Sequence, residues 1–310
     1  MIRRSVAIER INPAELGRPS GFTHVVSVTS GRLMPALFVL LWSSGFTFVA
    51  LGLPHSEPIT FLALRYVIVV GVLAVAFAVV RPPLPRGRAW LDLAIVGFLL
   101  QAVYFGLFYL AIDRVAPATV ALIVCLQPVL VALLAPALVG EHVPLARWAG
   151  LGLGLVGAAI VILARSDEGG TDVLGVVLAF GGLLAITLAS LYENRFGTEQ
   201  HPISANLVQF SVALVATAIP AALFEHLHVE WTGDLYISLA YLVFFNSLLA
   251  ITLLLTMMRR GTASQVSALF FLVPPLAALI AWIVLGESLP VLAWLGMVLA
   301  AVGVAVATRR

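Results

Sequence analysis

Gly140-Glu141-His142-Val143-Pro144-Leu145-Ala146-Arg147-Trp148-Ala149-Gly150 returns 146 residues later as Gly286-Glu287-Ser288-Leu289-Pro290-Val291-Leu292-Ala293-Trp294-Leu295-Gly296. Gly, Glu, Pro, Trp and Gly recur at one spacing, and these residue types do not match by chance in apolar sequence as Leu and Ala do. The same offset lays Arg114–Ala164 over Arg260–Arg310 without a gap, adding Pro128 on Pro274 and Gly157 on Gly303. A weaker echo at an offset of 144 sets Pro58-Ile59-Thr60 on Pro202-Ile203-Ser204. The chain is therefore a duplicated unit.

Working outward, the unit is read from its apolar runs. The 310 residues are 62% hydrophobic and 10% charged, against about a quarter charged in an average globular chain. That balance excludes an ordinary soluble fold. A single cysteine, Cys125, excludes a disulfide scaffold, and no composition bias marks disorder. A bilayer core of about 30 Å needs about 20 apolar residues per helix. Ten runs meet this need, at 33–53, 58–80, 90–112, 117–139, 145–164, 173–192, 203–224, 235–257, 262–285 and 289–308. The expectation is an all-α membrane protein of ten transmembrane helices: a cytoplasmic tail over 1–32, a first five-helix repeat over 33–164 and a second over 173–308. Five is odd, so the second repeat enters the membrane in the opposite sense. Inverted repeats are a recurring construction of secondary transporters, with substrate near the midplane between the halves.

Orientation follows from the basic residues, all 17 of which are arginine. With the amino terminus inside, every arginine except Arg65, Arg114 and Arg165 falls in a cytoplasmic segment or beside one, as the positive-inside rule requires. Both termini are expected in the cytoplasm, in a cell inner (plasma) membrane protein. The arginines form no basic stripe, which argues against nucleic acid as a partner.

The pattern resembles the EamA family of the drug/metabolite transporter superfamily. The residues carrying the resemblance are Glu57-Pro58 with Phe61 and Arg65, the stretch Ala111 through Pro128, and Leu285-Gly286-Glu287 with Trp294, Gly296 and Gly303. The resemblance implies ten helices in two inverted halves that move small metabolites, often amino acids, usually outward. It implies no particular substrate. The alternatives are a membrane-embedded enzyme, which wants clustered Asp, His or Glu at one membrane face, and a non-transporting scaffold, which has no need of duplication.

Candidate site residues are the polar groups inside apolar runs. Arg65 lies about 10 Å deep at 1.5 Å per residue, and a charge there faces a cavity or a partner. It reads either as a site for a carboxylate or other anion, or as a structural arginine bonded to carbonyls or reaching toward Glu57. Gln101, Gln127, Asn206, Gln209 and Asn246 need hydrogen-bond partners that lipid does not supply. Gln101 and Tyr104 share a helical face with Phe105 and Phe108; Asn246-Ser247 stands at the equivalent depth of the second repeat, and Gln209 is the counterpart of Arg65. The expected cavity lining is Arg65, Gln101, Tyr104, Gln209, Asn246 and Trp42. Pro128 and the pair Pro274-Pro275 fall mid-helix, where proline kinks the backbone, and are expected to hinge the halves. Glu141 and Glu287 are expected to order the hairpin into the following helix.

Gly152-Leu153-Gly154-Leu155-Val156-Gly157 fits a dinucleotide fingerprint, but it lies inside an apolar span rather than after a strand. Gly150 and Gly154 make a face for close helix packing instead. His226 and His228 with Glu225 and Glu230 read as an exposed loop of mixed charge. No cofactor or metal is expected, and a homodimer is left open.

Overall fold

The computed structural model describes residues 21–115, 120, 123–164, 172–197, 200–285 and 290–308, with side chains described from Leu33 onward. The amino-terminal twenty residues, Arg165 and the second Gly-Glu pair, Gly286-Glu287, lie outside the described residues. Those described form helices α1 (Gly21–Gly52), α2 (Pro58–Val80), α3 (Ala89–Ile112), α4 (Gln127–Leu138), α5 (Leu145–Leu163) and α6 (Val173–Phe196), followed by α7 (Pro202–Phe224), α8 (Gly233–Arg260), α9 (Ala263–Ala268), α10 (Val273–Leu285) and α11 (Val291–Ala307). An isolated bridge pairs Ser56 with Val229. Among the described residues seven spans are long and apolar enough to cross a membrane, one of them Ala263–Ile280 through α9 into α10, with α4, α5 and α11 as shorter apolar helices. Large apolar side chains such as Val79, Phe224 and Val298 face outward, an arrangement suited to lipid rather than water.

Three elements depart from the hydropathy reading. Helix α1 begins at Gly21, so part of the expected tail is helical. Pro128 stands in the first turn of α4, after a turn at Cys125-Leu126. Pro274-Pro275 lie inside one continuous helical span, Ala263–Ile280, where the 3-10 stretch Leu269–Leu272 passes into α10. Proline lacks the N–H a continuing helix would need but is at home in a first turn, so Pro128 starts a new helix, while Pro274-Pro275 sit where a continuing helix changes its winding. The third departure is a π stretch inside α3, Gly97–Tyr104, and another inside α8, Leu242–Ala250. The 146-residue offset carries the first onto the second, so the duplication extends to a backbone irregularity of a kind that gathers at functional sites.

The halves run in opposite senses. Helices α5 and α11, the fifth of each repeat, pack through the repeated glycines. A Cβ on Gly150 would stand 2.8 Å from the Gly303 carbonyl, and one on Gly157 would stand 2.7 Å from the Gly296 carbonyl. Ascending residues of α5 thus meet descending residues of α11, with backbones in contact through a small-residue face. Helices α2 and α7 are antiparallel too. Glu225, at the end of α7, accepts from the N–H of Ile59 at 2.9 Å and of Thr60 at 2.6 Å at the start of α2. At the other end Ser204, at the start of α7, donates to the Pro83 carbonyl beyond α2 at 2.8 Å.

Contacts at the two ends of the bundle differ in kind. On the Glu57 face, the segment after α7 lies across the α1–α2 turn. Glu57 accepts from the N–H of His226 at 2.8 Å and of His228 at 3.1 Å, and Glu230 donates its N–H to the His55 carbonyl at 2.8 Å. The His226 N–H first, then that of His228, holds the Glu57 carboxyl below its ordinary 4.5. Because the folded value is the lower one, this contact stabilises fully above about pH 4.5 and fades as pH falls through the lowered value. Exchange of the His226 and His228 amides is expected to quicken between about pH 5 and pH 3 beyond its intrinsic pH dependence, and Glu57→Gln is expected to show the quickened rate at both. An exchange rate untouched by Glu57→Gln would show that the carboxylate does not hold the loop.

On the opposite face the contacts are buried ion pairs. Gly140 takes φ +71°, open to glycine, and ends α4. The Glu141 carboxylate that follows meets Arg147 at 2.7 Å and accepts from both the N–H and the hydroxyl of Ser264. Glu141 thus reaches the first turn of its own next helix through Arg147 and, beyond that, holds the start of α9 in the other half. Arg259 on α8 pairs with Glu193 on α6 at 2.8 Å, and Tyr192 donates to Asp92 at 2.7 Å.

Candidate functional site

Arg65, fully buried on α2, is the charged group at the centre of the bundle. Its Nε donates to the Ser247 hydroxyl at 2.8 Å, its Nη2 to Asn246 Oδ1 at 2.7 Å and its Nη1 to the Tyr109 hydroxyl at 3.4 Å. The Phe105 ring lies 5.1 Å from the guanidinium carbon, within range of a cation–π contact. Two of its five N–H groups have no partner among the described residues, and no described carboxylate pairs with it. The partners on α8 are consecutive residues. On a regular α-helix consecutive side chains diverge by about 100°; here both belong to the π stretch, whose wider turn brings Asn246 and Ser247 to one guanidinium. Of the two sequence readings of Arg65, a bond to backbone carbonyl is not what the structure shows. The residue instead ties the first repeat to the second through neutral side chains.

A cavity opens beside the guanidinium, lined by Trp42, Phe46, Arg65, Tyr104, Phe105, Phe108 and Asn246 among others. It offers about 20 Å³, room for one water. A second cavity of the same size lies on the other side of Trp42 and Phe46 and reaches Cys125, Phe270 and Pro274. The start of α10 therefore adjoins this central space. Trp42 packs edge-on to Phe270 and tilted against Phe38 and Phe105, standing between the two chambers.

Of the residues picked from sequence, Trp42, Arg65, Tyr104 and Asn246 meet at the first cavity and Pro274 at the second. Gln101 and Gln209 are not among the lining residues of either. Gln101 lies in the π stretch Gly97–Tyr104, whose wider turn carries it off the face of Tyr104. Both amides are fully buried with side-chain nitrogen and oxygen unpartnered. Gln209 backs onto Gly97, whose missing side chain admits the Gln209 Cα. Gln127 donates to Ser267 at 3.3 Å, a bond between α4 and α9.

Sequence reasoning missed three contributors. Phe46 lines the first cavity one helical turn beyond Trp42. Gly45 admits Asn246, because a Cβ there would stand 2.6 Å from the Asn246 amide nitrogen. Ser247 was noted only as the counterpart of Gln101. Aromatic spacing on α1, with Trp42 and Phe46 four apart, was the available signal.

Two antiparallel repeats packed about a buried, cationic, aromatic-lined cavity define a duplicated polytopic membrane protein of the transporter kind. The EamA-like transporter family matches residues 29–163 and again 173–309. The chain belongs to this family. It is 27% identical over 273 residues to the transporter YvbV of Bacillus subtilis, covering 87% of this chain and 89% of that one. It is 28% identical over 289 residues to a probable terminal-alkyne amino-acid exporter of Streptantibioticus cattleyicolor, covering 88% and 92%. The inner membrane transporter YedA of Escherichia coli is 24% identical over 268 residues, covering 86% and 87%. A crystal structure 22% identical in sequence superposes with a TM-score of 0.77 over 90% of this chain and 96% of that one, which establishes the likeness of fold.

Proposed function

We propose that this protein exports small organic metabolites, amino acids among them, across a bacterial inner membrane by alternating access between its two repeats. The observation that carries this reading is the seat of Arg65, which comes from one repeat and is held by Asn246 and Ser247 of the other at the edge of the central cavity. Any rearrangement of the halves must remake those bonds, so cavity and conformation are coupled. In this reading α4, α5 and α11 also cross the bilayer, completing ten crossings, and both termini are cytoplasmic. The Glu57 face is then periplasmic and the Glu141 face cytoplasmic. Pro128, Pro274 and Pro275 mark the joints at which their helices swing, and Trp42, Arg65, Tyr104 and Asn246 touch the cargo. Gln101 and Gln209, mirror counterparts of Ser247 and Arg65, join the lining when the halves part.

Protein purified into liposomes and offered a panel of labelled amino acids and small metabolites is expected to move some of them faster than empty vesicles. A panel on which it never exceeds empty vesicles would contradict the reading. Gly45→Ala gives a finer test. The added Cβ displaces the free end of the Asn246 side chain rather than backbone, so the fold survives while a charge-assisted bond to Arg65 is lost. Flux is expected to fall about tenfold and the melting temperature by several degrees without loss of the cooperative transition, as removal of such a bond costs about 1.5–3 kcal/mol. Flux equal to wild type would remove Asn246 from the working site.

A further inference from the structure

Resting on that reading, we infer that the preferred cargo is a monocarboxylate with an apolar, ring-sized body, and that a free ammonium group on the cargo is not recognised. The first observation is charge. Arg65 is fully buried, its described partners are neutral, and none of the residues lining the two central cavities is acidic. A buried charge without a counter-ion is costly, and an anionic guest removes that cost. A monoanion leaves the occupied site neutral; a zwitterion leaves it with the net positive charge it had when empty, and a cationic amine adds to it.

The second observation is the unused part of the guanidinium. One edge, Nε and Nη2, is already occupied by Ser247 Oγ and Asn246 Oδ1, two oxygens placed as the two oxygens of a carboxylate would be. Two further N–H groups have no partner among the described residues, and the planar fork of arginine suits two-point binding of a carboxylate. The third observation is what surrounds it. Trp42, Phe46, Phe105 and Phe108 present rings to the cavity, and rings with an isolated cation at one end fit an amphipathic anion, apolar body first and carboxylate on Arg65. The cavity has room for about one water, so a ring-sized anion enters as the halves part.

The test compares four probes sharing a phenyl body: 3-phenylpropanoate, L-phenylalanine, 3-phenylpropanol and 2-phenylethylamine. Each is offered to the full-length protein in liposomes for flux and in detergent for thermal shift. The propanoate is expected to be moved fastest and to raise the melting temperature most, with phenylalanine next and the amine last. Arg65→Gln is expected to lose flux of the propanoate by about 30-fold or more, the effect of truncating one side of a buried charge pair, and with it the preference for the propanoate over the alcohol. Arg65→Lys is expected to keep the order of the probes.

If wild type moves the amine or alcohol as well as the propanoate, the charge argument is overturned and the transport reading stands. Preference for phenylalanine over the propanoate would show that the ammonium is recognised, and would overturn it equally. If none of the four is moved or shifts the melting temperature, the preference for ring-sized carboxylates fails, and the metabolite panel decides separately whether the protein transports at all. The wild-type comparison is decisive even where Arg65→Gln does not fold.

Discussion

Glu193→Leu is expected to cost about 3–5 kcal/mol of stability, the largest loss from any single substitution considered for this chain. Glu193 is 2% exposed, and Arg259 approaches its carboxylate at 2.8 Å across the α6–α8 contact. Removing one charge leaves the other buried and short of a counter-ion, and the penalty comes from that stranded charge more than from the lost attraction. The double replacement Glu193→Leu with Arg259→Met is therefore expected to recover most of the loss, since an apolar pair of similar volume is often as stable as a buried ion pair. Thermal melts of the two single variants and the double variant measure the coupling. Additive losses would mean that the two residues stabilise the bundle independently.

Gly303→Ala comes second. A Cβ there would stand 2.6 Å from the Gly154 Cα and 2.8 Å from the Gly150 carbonyl. Both obstacles are backbone, so no side-chain rotation makes room and α11 must back away from α5 along its length. About 3 kcal/mol is expected, at the upper end for overpacking. Gly157→Ala, the mirror position on α5, meets the Gly296 carbonyl at 2.7 Å and is expected to lose a similar amount. Gly152→Ala lies on the same helix with nothing within 4 Å, and is expected to be neutral or slightly stabilising through better helix propensity. Equal melting temperatures for Gly303→Ala and Gly152→Ala would show that the helices are not in backbone contact.

These glycines also show how far the sequence reaches. Gly150, Gly157, Gly296 and Gly303 stood out because an offset of 146 repeats them, and the structure makes them one interface whose two sides are related by that repeat. Helix α2 begins and ends where the apolar run does, since Pro58 starts it and Arg81, at φ +50°, ends it. Glu193 escaped notice for an opposite reason. Its apolar run stops just before the carboxylate, yet α6 continues to Phe196, with the neutralising partner, Arg259, 66 residues further along the chain.

The site was legible by residue type and illegible by direction. Arg65, Asn246, Tyr104 and Trp42 were found because polar and aromatic groups inside apolar runs need partners. Gln101 was placed on their face by a 3.6-residue period that α3 does not keep between Gly97 and Tyr104. A π stretch changes which carbonyl each N–H reaches, and nothing in side-chain hydropathy records that choice. The prolines diverge: Pro128 starts a new helix, while Pro274-Pro275 lie within a continuous span where its winding changes from 3-10 to α.

The central claim is that the halves must part at the Glu57 face for cargo to pass. Ser56 and Val229 form an isolated antiparallel bridge there, one residue from each repeat, and paired residues of this kind lie about 4.5–5.5 Å apart at Cα, within reach of a disulfide. Ser56→Cys with Val229→Cys, in a Cys125→Ala background, locks that face when oxidised. In liposomes loaded with whichever probe wild type moves, the account predicts flux at the level of empty vesicles after oxidation and recovery on adding reductant. Undiminished flux through the oxidised protein would contradict it.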